Sequence, residues 1–199
     1  MVIDSGLFTN LIIALPFLAC LFREIRCQRR HYILKSFLIL TFYFYIVLLI
    51  KHAIFPIYLG GSMKQIMQAE MPMSKSLSEN VNLIPLVRGW YPEDFLLNII
   101  MTLPLGILLP CLIKGMTIQS AAIAGTGIGI GIELIQFFLL ILQGFTFRDI
   151  NINDSIANAI GVLIGYVIYI FSVKIFLEAT KNTQIPIVVR IRSFFTDRR

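Results

Sequence analysis

Along the chain, long apolar runs alternate with short polar stretches, many of them basic. Five runs reach or approach the ~18 residues that suffice to cross a bilayer. They are residues 5–22, 33–50 with apolar character continuing to 58, 95–113, 118–142 and 156–177. Backbone polar groups find no water in lipid and must pair within their own segment, so these runs are predicted to be helices. The strict alternation of a transmembrane β-barrel strand is absent. The pattern predicts an all-α, polytopic membrane protein with about five transmembrane helices.

Lysine and arginine place the ends of those helices. Arg23, Arg26, Arg29, Arg30 and Lys35 lie between the first two runs, Lys114 in the turn after the third, and Lys181, Arg190, Arg192, Arg198 and Arg199 after the fifth. With five crossings all three groups fall on one side, which predicts an outer N-terminus and a cytoplasmic C-terminus. The organisation that follows is 1–60, two N-terminal helices with a basic cytoplasmic loop; 61–94, an outer loop; 95–177, a three-helix core; and 178–199, a basic cytoplasmic tail that either rests on the anionic inner leaflet or stays solvated and only sets topology.

Composition agrees with this reading. Hydrophobic residues make up 57% of the 199 positions and charged residues only 14%, where a soluble domain has about 25% charged. The net charge of +6 comes from residues flanking apolar runs, not from a patch with groove-reading or stacking elements, so no nucleic-acid partner is expected. Cys20, Cys27 and Cys111 form no metal or redox spacing. The acidic start "MVIDSG" lacks the basic region and cleavage site of a signal peptide.

Polar residues inside the last three runs are not scattered. Asn98, Thr102 and Gly106 recur at i, i+4, i+8 on one face of the third. Glu133 and Gln136 share a face of the fourth, toward its outer end, where Gly125/Gly129 and Gly127/Gly131 form two GxxxG pairs that permit close helix approach. In the fifth, Asp154 and Asn158 are followed by Gly161 and Gly165 on nearly the same stripe, with Arg148 and Asp149 just before it. A carboxylate facing lipid at a helix centre costs roughly 2.5–3.5 kcal/mol or more. These groups are therefore expected to face one another or a watered cavity. Glu133 attracts most interest, because an amide would tie helices together without a desolvated charge.

The order of "NLIPL" (Asn82, Pro85), "NIIMTLPLGILLP" (Asn98, Pro104, Gly106), "IELIQ" (Glu133, Gln136) and "RDININDSIANAIGVLIGY" (Arg148, Asp154, Asn158, Gly161) resembles the VanZ-like family of bacterial membrane proteins over roughly residues 80–170. Asn151 stands where the family pattern has its first aspartate, and Leu86 replaces an aromatic after Pro85. The founding member is an accessory teicoplanin-resistance protein of the Gram-positive cell surface. The resemblance implies a multi-pass protein of the bacterial plasma membrane acting at the envelope.

Three functions follow as expectations. In the first, the outer ends of the core helices bind or modify a lipid-linked or anionic component such as a cell-wall precursor. There Glu133 and Asp154 act as acid and base, Arg148 and Arg88 pair a phosphate through planar guanidinium forks, and Asn98, Gln136 and Asn158 complete the binding set. In the second, the same cluster only orders helices in a non-catalytic interaction or shielding module. The third, a small transporter, lacks an inverted repeat and paired broken helices. No metal or cofactor is expected, and neither His31 nor His52 belongs to a hydrolase or zinc motif.

Overall fold

The computed structural model describes residues 2–4, 6–27, 31–72, 81–86, 91–145 and 148–198. In chain order the elements are β1 (Val2–Ile3), α1 (Leu7–Cys27), α2 (Tyr32–Ile54), β2 (Ile57–Tyr58), α3 (Ser62–Glu70), β3 (Val81–Asn82), α4 (Pro92–Leu112), α5 (Ile118–Gln143), β4 (Ile150–Asn151), α6 (Ile152–Ala179) and α7 (Pro186–Thr196). The all-α reading holds; among the described residues the strands are two residues long and lie before α1 or in the connections.

Helix ends follow local chemistry. α2 stops at Ile54 and does not continue to 58, because the residue before a proline is pushed out of the α region; Phe55, ahead of Pro56, is extended. α5 starts with a capping box in which the Thr117 and Ser120 side chains each serve the other's backbone N–H. α6 begins at Ile152, ahead of the predicted 156, because the Asn151 side chain caps it by accepting from Asn153 N at 3.1 Å. α1 runs past its predicted end to Cys27, carrying Arg23, Glu24 and Arg26.

Helices α4, α5 and α6 pack against one another through small residues. A Cβ added to Gly106 would lie 2.1 Å from the Val162 carbonyl oxygen, one on Gly165 2.1 Å from that of Leu103, and one on Gly161 2.2 Å from Thr102 Oγ1. α4 and α6 therefore meet backbone to backbone. Between them the fully buried Thr102 hydroxyl is shared by the Asn98 and Asn158 carbonyls, both at 2.9 Å. α5 joins on the other side of α6, Gly129 against Ser155 and Gly125 against Ala159. Among the described residues Gly127 and Gly131 have nothing within 4 Å of an added Cβ, so of the two GxxxG pairs Gly125/Gly129 is the one that serves an interface there.

The α1–α2 hairpin is more loosely attached. Phe17 packs on Phe42 and Tyr43, and α2 reaches the core through Tyr45, whose hydroxyl donates to the Met101 carbonyl at 2.9 Å. α2, α4, α5 and α6 are each long and apolar enough to cross a membrane. Their outward side chains, such as Phe44 at 63% exposure and Ile123 at 73%, are apolar, a surface that suits lipid and not water.

At one end, segments 55–72, 81–86, 144–145 and 148–151 fold over the helices. β1 pairs antiparallel with β2, and β3 pairs parallel with β4 through Val81↔Ile150 and Asn82↔Asn151. α3 occupies the start of what the sequence left as a polar loop. It satisfies orphan carbonyls at the end of α5: Gln68 donates to Gln143 O at 2.9 Å and Lys64 to Leu142 O at 3.1 Å. Gly144, with φ of 71°, turns the chain there.

At the opposite end the basic tail is neither free nor simply laid on a surface. α7 docks through the fully buried Phe194, and Arg192 donates to the carbonyls of Thr180 and Lys181 just past α6. His31 lies 3.4 Å from Asp197, and Lys35 pairs with the buried Glu24 at 3.5 Å.

The glycine contacts predict a contrast. Gly161→Ala forces a methyl into backbone and should destabilise by about 1–3 kcal/mol or more, whereas Gly127→Ala gains helix propensity of up to about 1 kcal/mol. Thermal unfolding of the detergent-solubilised variants reads both; equal melting temperatures would contradict the interface assignment.

Candidate functional site

The folded-over end encloses an open cavity of about 890 Å³. Its polar wall includes Asn98, Glu133, Gln136, Arg148 and Asp154, five of the seven residues singled out in the sequence. Asn158 is not part of it: the side chain is fully buried between helices, its backbone carbonyl receives Thr102, and its side-chain amide has no hydrogen-bond partner among the described residues. Arg88 lies outside the described residues.

Glu133 comes from α5 and is only 7% exposed. One carboxylate oxygen accepts the Asn151 backbone N–H at 2.7 Å. That donor stands at the start of α6, where the unpaired N–H groups and the helix dipole favour negative charge. Here is a physical reason for a carboxylate in a greasy helix: it binds the positive end of its neighbour. The second oxygen carries no hydrogen bond among the described residues.

The same junction is fixed by asparagines. Asn82 donates through Nδ2 to Asn151 Oδ1 at 2.9 Å, and Asn153 Oδ1 accepts the Leu86 N–H at 2.7 Å. Asn151, at the position of the family's aspartate, thus works as a neutral hinge pin: its side chain receives Asn82 and caps α6, and its backbone serves Glu133. An uncharged acceptor suffices for both side-chain bonds.

Asp154 lies in the first turn of α6, half-buried beside the Asn98 side chain, with Asp94 and Arg148 as charge neighbours. Arg148 stands exposed in the loop before β4 and donates to the His52 carbonyl at the end of α2; Glu133 and Asp154 are its charge neighbours. Gln136 lines the cavity, but its Nε2 is committed to the Ala53 carbonyl at 3.0 Å. Gln136 and Arg148 therefore both tie the core to α2. The expected meeting of helices does occur, in two parts: Asn98 with Asp154, and Glu133 with Asn151.

Sequence reasoning passed over Asp94, His52 and Tyr45, which also line the cavity. Asp94 carried a legible signal, since it precedes Asn98 by four residues and shares its helix face. His52 and Tyr45 did not, because their side of α2 is apolar in pattern and only the tertiary approach of α4 makes it a wall. The remaining lining is largely apolar, with Leu48 and Leu49 from α2 facing Leu97, Ile100 and Met101 from α4. Chemically, the site can hold a ligand with both a polar and an apolar part. Its lining places four carboxylates, Asp94, Glu133, Asp149 and Asp154, with the one guanidinium of Arg148.

The bond from Asn151 to Glu133 predicts how substitutions divide. Glu133→Gln keeps an acceptor for the N–H and should melt near the wild type. Glu133→Leu strands that donor and should lose about 1–3 kcal/mol. Thermal melts of both proteins in detergent check this, and an unstable glutamine variant would contradict it.

Compared with known proteins, the VanZ/LLP1 family model matches residues 42–176, from within α2 to the last turns of α6. No curated protein and no solved structure matches the chain.

Proposed function

Since the chain belongs to the VanZ/LLP1 family and has helices built to cross a membrane, we propose that it acts at the outer face of a bacterial plasma membrane by binding a lipid-linked envelope component in the cavity. The observation that carries this reading is the cavity's two-sided lining. Glu133, Arg148, Asp154 and Asn98 supply polar lining, and Leu48 and Leu49 of α2 with Leu97, Ile100 and Met101 of α4 supply apolar lining. A small polar metabolite has no use for the apolar part, whereas an acyl or polyprenyl chain has.

The orientation rests on charge. All helix connections opposite the cavity are basic, including Arg23, Arg26, Lys35, Lys114, Lys181 and Arg192. The positive-inside rule puts that end in the cytoplasm and the cavity outside. α1 then makes a fifth crossing, its last turns of Arg23, Glu24 and Arg26 emerging among the inner headgroups. In this setting Glu133 and Asp154 are the acid–base pair for any modification of the bound component, and a contribution to teicoplanin resistance follows from altering the surface that the antibiotic meets. A non-catalytic interaction or shielding module is the second reading. It is favoured by the structural engagement of Glu133 with Asn151 and of Asp154 with Asn98.

Two measurements test these readings. Reporter fusions after residues 30, 70, 115, 150 and 190 should be cytoplasmic at 30, 115 and 190 and external at 70 and 150. A cytoplasmic signal at 150 puts the cavity on the wrong side. Lipid and cell-wall-precursor inventories of membranes carrying wild type or Glu133→Gln at equal expression then separate chemistry from binding. A species present only with the wild type supports modification, and identical inventories with a retained phenotype support the non-catalytic module.

A further inference from the structure

The polar lining of the cavity has a charge pattern that narrows the head group. Asp94, Glu133, Asp149 and Asp154 line it, with Arg148 the one lysine or arginine among the described lining residues. Four carboxylates stand against one guanidinium, so the lining is acidic. A purely anionic head meets net repulsion there, and a purely cationic one meets Arg148 at the mouth.

The carboxylates also have acceptor capacity to spare. Asp94 and Asp149 make no hydrogen bond or ion pair among the described residues, and Glu133, although 93% buried by its 7% exposure, uses one oxygen only. Unused carboxylate oxygens inside a cavity call for N–H or O–H donors. A primary ammonium supplies three and a quaternary ammonium none. A quaternary head would need an aromatic cage, and the described lining offers only Tyr45 and Tyr91 as aromatic carbocycles.

Building on the reading of the cavity as a lipid site, we propose that it selects a zwitterionic amphiphile of the aminophospholipid class. Its phosphate sits at Arg148, its primary ammonium among Asp94, Asp149, Asp154 and Glu133, and its chains lie between Leu48 and Leu49 of α2 and Leu97 and Ile100 of α4. Phosphate and ammonium on one head group match the single guanidinium beside several carboxylates.

The test uses the full chain in nanodiscs of equal phosphatidylethanolamine, phosphatidylglycerol and phosphatidylcholine, with retained lipid read by native mass spectrometry. Phosphatidylethanolamine should be enriched about tenfold over each of the others, the equivalent of about 1.4 kcal/mol in affinity. The double variant Asp94→Asn, Asp149→Asn changes two exposed side chains and should keep its melting temperature while losing most of that enrichment. Millimolar phosphoethanolamine should leave the bound lipid in place; displacement by the free head group would overturn the role given to the chains. Enrichment of phosphatidylglycerol or phosphatidylcholine, equal retention, or an unchanged preference in the double variant would overturn the head-group assignment and leave the cavity a lipid site. Retention of no lipid would overturn both.

Discussion

Everything at the candidate site depends on the direct backbone contact between α4 and α6. Apolar side chains give helices little reason to associate within a bilayer, because lipid tails serve them equally well. Association there relies on close van der Waals packing and on hydrogen bonds that lipid cannot offer. Gly106, Gly161 and Gly165 remove the side chains that would hold the two helices apart, and Thr102 places one hydroxyl between two carbonyls across the contact. Because this contact fixes the rotation of both helices, Asn98 and Asp154 come out on the same side, one turn nearer the end.

The third helix joins that pair by a different kind of bond. Glu133 reaches from α5 to the start of α6, so a buried carboxylate and a helix N-terminus stabilise each other. The connection before α6 is held in turn by Asn82 and Asn153, each bonding across to a distant part of the chain. The polar residues are thus both the mortar of the folded-over end and the wall of its cavity. A site assembled this way has its geometry fixed before any ligand arrives, which lowers the cost of orienting one.

Much of the fold is legible in the sequence because lipid leaves so few options. Apolar run length sets the helices, and their ends obey local rules visible in single residues: Pro56 after α2, Thr117 and Ser120 before α5, Gly144 after it. Faces are legible too. Asn98, Thr102 and Gly106 on one helix and Asp154, Asn158, Gly161 and Gly165 on another are regular stripes, and both stripes turn inward.

What the sequence could not decide were matters of rotation and of single partners. Gly125/Gly129 and Gly127/Gly131 are equivalent as patterns, and only the packed rotation of α5 makes the first an interface and the second a lipid-facing pair. Gln136 and Asn158 look as well suited to a cavity as Glu133 does. One is taken by a carbonyl of α2, however, and the other is enclosed by α4 and α6 short of the cavity. The docking of α7 through Phe194 escaped for the same reason, since a basic, apolar tail suits a membrane surface and a protein surface alike. Periodicity and backbone satisfaction are local and act through the chain itself, so the sequence by itself determined the helices and their polar faces. Which atom each polar group meets is a property of neighbours distant in sequence, and only the tertiary structure decided that.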